Sequence, residues 1–82
     1  MNTVIYTTTT CPYCKMLKDY LKENNVSFEE KMVDTDEEAR DQMVKDSGGF
    51  MGVPFTVVEK DGGEKETIVG FDKQKVNTIF GL

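Results

Sequence analysis

The chain has no histidine, only two cysteines and two prolines, and no long apolar run. A closed zinc site takes about four ligands, usually Cys or His. Two cysteines without a histidine do not make one. The missing histidine also removes the commonest general base from the candidates. No stretch approaches the roughly 20 apolar residues of a membrane span. The opening Met1-Asn2-Thr3-Val4-Ile5-Tyr6 has no basic start, so it reads as a first strand and not as a secretory signal. Basic stripes are missing too: 10 Lys and Arg are interspersed among 15 Asp and Glu, for a formal charge of -5. That pattern argues against nucleic acid as a partner, and the acid excess is expected to favour basic partners.

What is present describes one soluble domain. At 82 residues the chain has room for a single core, taken as 1–82, with no repeat, linker or biased tract. A monomer is expected.

Hydrophobic periodicity sets the elements. Residues 3–7 are β-branched and aromatic and end in threonines, which suits a short buried strand. From Pro12 the apolar Met16, Leu17, Tyr20 and Leu21 recur at helical spacing, while Lys15, Lys18, Lys22 and Glu23 take the other face, and Asn24-Asn25 ends the helix. Residues 26–33 read as a second strand, placed at a sheet edge because Glu30 falls among its apolar positions. Thr35-Asp36-Glu37-Glu38 matches a capping box led by Thr35, ahead of a helix with Ala39, Met43 and Val44 inward and Ser47-Gly48-Gly49 at its end. After Val53-Pro54, residues 55–58 form a strand, Asp61-Gly62-Gly63 a turn, and residues 64–69 a returning strand. Residues 72–80 make a last helix with Val76, Ile79 and Phe80 inward and Gly81 beyond it. Tyr6, Tyr20, Phe28, Phe55 and Phe80 are assigned to the core.

The order is β-α-β-α-β-β-α. Two strands joined through a helix imply a parallel pair, and the hairpin adds an antiparallel one. The expectation is an α/β fold, a mixed four-stranded sheet flanked by helices on both faces.

Chemistry points to Cys11-Pro12-Tyr13-Cys14, where the first strand gives way to the first helix. A bridge between positions three apart closes a tiny loop and stabilises little. A pair that cycles, in a reducing cytoplasm, is the better reading. A thiol attacks a disulfide as the thiolate, and a helix N-terminus lowers its pKa without burying it. Cys11 at the cap, with Pro12 at the first helical position, faces unpaired amides, and Lys15 adds positive charge nearby. Cys14, one turn further in and more enclosed, suits the resolving role.

Strand, C-P-Y-C, helix, then Val53-Pro54 before a strand and Gly70-Phe71-Asp72 before the last helix: this arrangement resembles the glutaredoxin family over nearly the whole chain. The tetrapeptide is that of dithiol glutaredoxins, whereas thioredoxins usually carry Gly-Pro between their cysteines. The resemblance implies the glutaredoxin-like branch of the thioredoxin fold, with Cys11 as nucleophile, Cys14 as resolving thiol, and a cis Pro54 facing the active-site sulfur. It also implies glutathione as co-substrate, disulfide-containing or glutathionylated proteins as partners, and no metal. Val53 takes the position that pairs with the cysteinyl main chain of glutathione, Tyr13 walls the groove, and Thr8, Pro54, Gly70, Phe71 and Asp72 complete it. The amides opening the last helix are suited to a carboxylate.

Two positions depart from the family pattern. Thr8 stands where several glutaredoxins have Lys or Arg, and Lys73 where an acid meets the glutathione amine, leaving Asp72 to substitute one position early. The Gly-Phe pair is also similar to glutaredoxin-like proteins that serve ribonucleotide reductase and draw electrons from thioredoxin reductase. That is the alternative function. An iron–sulfur carrier on the same fold, sharing a cluster between two subunits, is a further one.

Overall fold

A computed structural model describes residues 2–49 and 52–82; Met1, included in the opening strand run above, lies outside them. The elements are β1 (Asn2–Thr7), α1 (Pro12–Glu23), β2 (Glu29–Met32), α2 (Glu37–Ser47), β3 (Phe55–Glu59), β4 (Lys65–Val69) and α3 (Lys73–Phe80). The sheet order is β2-β1-β3-β4. β1 runs parallel to β2 and antiparallel to β3, and β3 and β4 form the hairpin. The fold is the expected mixed four-stranded α/β sheet.

Strand alternation divides the core in two. Ile5 and Ile68 face α1 and α3, where Leu17, Leu21 and Val76 close over them with no solvent exposure. Tyr6, Phe55 and Val57 face the other way and meet Met43 of α2. Burying a side chain of this size stabilises by roughly 1.5–3 kcal/mol, so the two clusters hold helices on both faces. Tyr6 and Phe55 are fully buried, and Tyr20, Phe28 and Phe80 pack half-buried against the α1/α3 cluster. Met16, placed on the inner face by periodicity, is half exposed instead.

Two boundaries move, each for a local reason. β2 covers four residues, not eight. α1 ends in a Schellman motif, with Asn25 left-handed (φ 58°), the Asn25 amide on Lys22 O and the Val26 amide on Leu21 O at 2.9 Å. That bond takes the Val26 N–H out of any strand ladder, and Val26 and Phe28 pack on the core from the connection. At α2 the cap is Asp36 and not Thr35: its carboxylate accepts the Glu38 and Ala39 amides at 3.0 and 3.3 Å. A charged acceptor at a helix N-terminus outcompetes a hydroxyl, because the helix dipole favours the anion.

Candidate active site

β1 ends at Thr7, which is held on two sides. Its carbonyl accepts the Val33 amide at 2.9 Å, and its hydroxyl donates to Glu30 at 2.7 Å. Glu30 pairs with Ile5 in the parallel register, so it shares the α1 face, where Lys18 meets it at 2.7 Å. The Lys18 hydrogen bond holds the Glu30 carboxyl below its ordinary range, against the opposing effect of burial and with help from Thr7. Periodicity had marked Glu30 only as the sign of an edge. Here it pins the edge strand to the helix that carries both cysteines.

The turn that follows is also anchored. Thr9 donates its amide and its hydroxyl to Asp34, at 3.0 and 2.7 Å. These bonds keep the Asp34 carboxyl below its usual range. Sequence reasoning missed this clamp: it joins residues 25 apart, and no local signal announces it.

Cys11 is the N-cap of α1, with an extended backbone (φ -100°, ψ 106°), and Pro12 is the first helical residue. The Cys14 amide donates to Cys11 Sγ at 3.2 Å. The two cysteines form a disulfide, with Cα atoms 5.2 Å apart. Cys14 is 1 % exposed, whereas Cys11 is half-buried and reachable. The Lys15 amide bonds the Cys11 carbonyl at 3.3 Å, and no acidic residue occupies the first turn to oppose a thiolate. Among the described residues no group of three or more His, Cys, Asp or Glu is arranged to hold a metal ion.

Around the disulfide the proposed site residues separate into two sets. Thr8, Cys11, Pro12, Cys14 and Lys15 line one cleft together with Thr9, Thr10, Lys18, Asp19, Lys22 and Met32. Tyr13, Val53, Pro54, Gly70, Phe71 and Asp72 are not among its walls. The Val53–Pro54 peptide bond is cis, and the Pro54 carbonyl accepts the Gly70 amide at 2.8 Å, which brings Val53-Pro54 beside Gly70-Phe71. Tyr13 stands 60 % exposed next to the cysteines. Phe71 packs on the Tyr20 ring at 5.8 Å between centroids, and Lys73 lies over that ring at 5.1 Å. Asp72 caps α3, its carboxylate taking the Lys75 amide at 3.1 Å.

The fold and this cysteine pair have relatives. The glutaredoxin family model matches residues 3–62. The chain belongs to the glutaredoxin family. It is 39% identical over 76 residues to a glutaredoxin-like 8.6 kDa protein of the rubredoxin operon of Clostridium pasteurianum, covering 93% of each chain. Glutaredoxin 3 of Escherichia coli K12 is 45% identical over 47 residues, 57% of each chain. Among solved structures, the thioredoxin-like protein BC3987 is 32% identical with a TM-score of 0.82, over 95% of this chain and 99% of that one. A glutaredoxin of Archaeoglobus fulgidus is 25% identical with a TM-score of 0.77, over 96% and 85%. As a glutaredoxin with a redox-active cysteine pair, the protein is a thiol oxidoreductase.

Proposed function

We propose that this glutaredoxin is a glutathione-dependent thiol–disulfide oxidoreductase, acting in a reducing cytoplasm on protein disulfides and protein–glutathione mixed disulfides. The observation that carries the reading is the asymmetry of the pair: Cys11 is accessible at a helix cap and accepts an amide hydrogen bond, while Cys14 is enclosed. Accessibility and thiolate stabilisation set the order of attack.

On a glutathionylated protein, the Cys11 thiolate attacks the glutathione sulfur. The protein thiolate leaves and takes up a proton, and Cys11 is left joined to glutathione. A second glutathione thiolate then attacks the bound glutathione sulfur, releasing glutathione disulfide and restoring the Cys11 thiolate. On a protein disulfide, Cys11 forms the mixed disulfide and Cys14 attacks Cys11 Sγ. Two electrons pass to the partner, which leaves as a dithiol, and the Cys11–Cys14 disulfide remains until two glutathiones reduce it.

The residues present suit an anionic tripeptide unevenly. Tyr13 and the main chain of Val53 supply an apolar wall and backbone pairing, and the opening amides of α3 favour a carboxylate. Asp72 already occupies one of those amides, and Lys73 lies over the Tyr20 ring. Those two contacts favour a second reading, in which thioredoxin reductase replaces glutathione as the electron source and the cysteine chemistry is unchanged.

Single serine variants test the roles. Cys11→Ser is expected to abolish all activity, and Cys14→Ser to retain deglutathionylation while losing dithiol reduction. Equal loss in both variants overturns the assignment.

A further inference from the structure

The chain is acidic overall, at -5, yet the cleft that opens on its disulfide is basic. Lys15, Lys18 and Lys22 line it, against one carboxylate, Asp19. The three lysines follow one face of α1 at spacings of three and four, so their charges form a single stripe leading away from Cys11. Lys18 is tied to Glu30, which also feels the charge of Lys22 from further off; among the described residues neither Lys15 nor Lys22 makes a direct salt bridge, and both are exposed. The positive pole of α1 lies at the same end as Cys11 and adds to this field. The neighbouring cleft beside β2 has the opposite character, lined by Glu29, Glu30, Asp36 and Glu38, with Lys31 as the one cation among the described residues. The charge is therefore polarised, with its basic side at the reacting sulfur, contrary to the basic-partner expectation drawn from composition.

We infer that this cleft docks an acidic segment of a partner protein, one that carries Asp or Glu beside the disulfide to be reduced. The inference rests on the thiol–disulfide chemistry proposed above and names its substrate class. The segment lies along α1, its carboxylates against Lys15 and Lys22, with its disulfide delivered to Cys11. A cleft lined by one sign of charge raises the local concentration of the opposite one and the association rate with it, by about tenfold or more at low salt.

The test uses the protein reduced beforehand with dithiothreitol and desalted, so that neither glutathione nor a reductase enters. Two synthetic peptides, each with one intramolecular disulfide and identical except for flanks of Asp and Glu or of Lys and Arg, are reduced in single turnovers. The acid-flanked peptide is expected to react about tenfold faster at low ionic strength. The ratio of the two rates should fall towards one at about 0.5 M salt, where screening shortens the reach of charge to a few ångströms. Lys22→Glu should lower that ratio at least threefold, roughly, because charge reversal acts on encounter. Because the readout is a ratio, changes in thiol reactivity cancel from it. A ratio at or below one, or one that Lys22→Glu does not move, overturns the docking inference and leaves the cysteine chemistry standing. Reduction of neither peptide overturns both.

Discussion

The Cys14 amide donates its hydrogen bond to Cys11 Sγ at 3.2 Å, across the first turn of α1. A hydrogen bond of this kind is stronger to an anionic acceptor than to a neutral one, so it favours the thiolate once the disulfide is reduced. Reduced Cys11 is therefore expected to titrate below the ordinary cysteine value of about 8.5. The rate of iodoacetamide alkylation against pH measures this. A midpoint near the ordinary value would show that the cap does not activate the sulfur.

Glu30 gives the fold a specific acid sensitivity. Its carboxyl is held low mainly by the Lys18 hydrogen bond, and also by Thr7. A folded-state pKa below the unfolded one contributes stability that is present above the unfolded pKa and lost as pH falls through the folded one. Glu30→Gln should cost up to about 1 kcal/mol near pH 7. The difference from wild type should shrink as the pH is lowered below the usual carboxylate range. Urea unfolding of both proteins across that range is the measurement. A constant difference would place the stabilisation elsewhere.

Tyr6 acts at the other end of the scale. Burial first, and then the Asp46 carboxylate it donates to at 3.2 Å, push its phenol up to about 12. The unfolded chain loses that proton near the ordinary tyrosine value of about 10. This contribution is therefore fully present below that value and lost as pH rises from there through the folded pKa. Tyr6→Phe should remove this alkaline dependence at a cost of about 1 kcal/mol near neutral pH, the worth of one hydrogen bond. Denaturant unfolding at neutral and alkaline pH, with phenolate absorbance to follow ionisation, reads both.

The hydroxyl of Thr56 is buried without a hydrogen-bond partner among the described residues. It sits between Ile5 and Ile68 in the sheet, on the face covered by α1 and α3. Replacing an unsatisfied buried hydroxyl by a methyl of similar shape removes a desolvation penalty of about 1–3 kcal/mol. Thr56→Val should raise the melting temperature. A lower one would show that the hydroxyl has a bonding partner in solution.

Most of the architecture was legible because periodicity and turn chemistry agree in this chain. Pro12 and Asn24-Asn25 bracket α1 and Gly81 ends α3, and the Glu30 interruption correctly marked β2 as an edge. The length of β2 was not legible, since it depends on where the Schellman bond takes the Val26 amide. The α2 cap was a contest between two adjacent oxygens, Thr35 and Asp36, which spacing alone does not decide. At the site, the placement of Cys11 and Cys14 follows from local rules, but the clamps Thr9–Asp34 and Lys18–Glu30 join residues far apart in sequence. Their formation depends on sheet register. The polarisation of charge was hidden for the same reason: composition gives the sum, and only the fold puts Lys15, Lys18 and Lys22 on the cleft and Glu29, Asp36 and Glu38 on its neighbour.

The source of electrons tests the central claim most directly. The oxidised protein is supplied with NADPH and either glutathione plus glutathione reductase or thioredoxin reductase, and NADPH consumption is followed. Turnover with glutathione is the predicted result, and it supports a groove that works despite Thr8 and Lys73. Turnover with thioredoxin reductase alone contradicts it, and reassigns the protein to the branch that keeps the Cys11 chemistry while dispensing with glutathione.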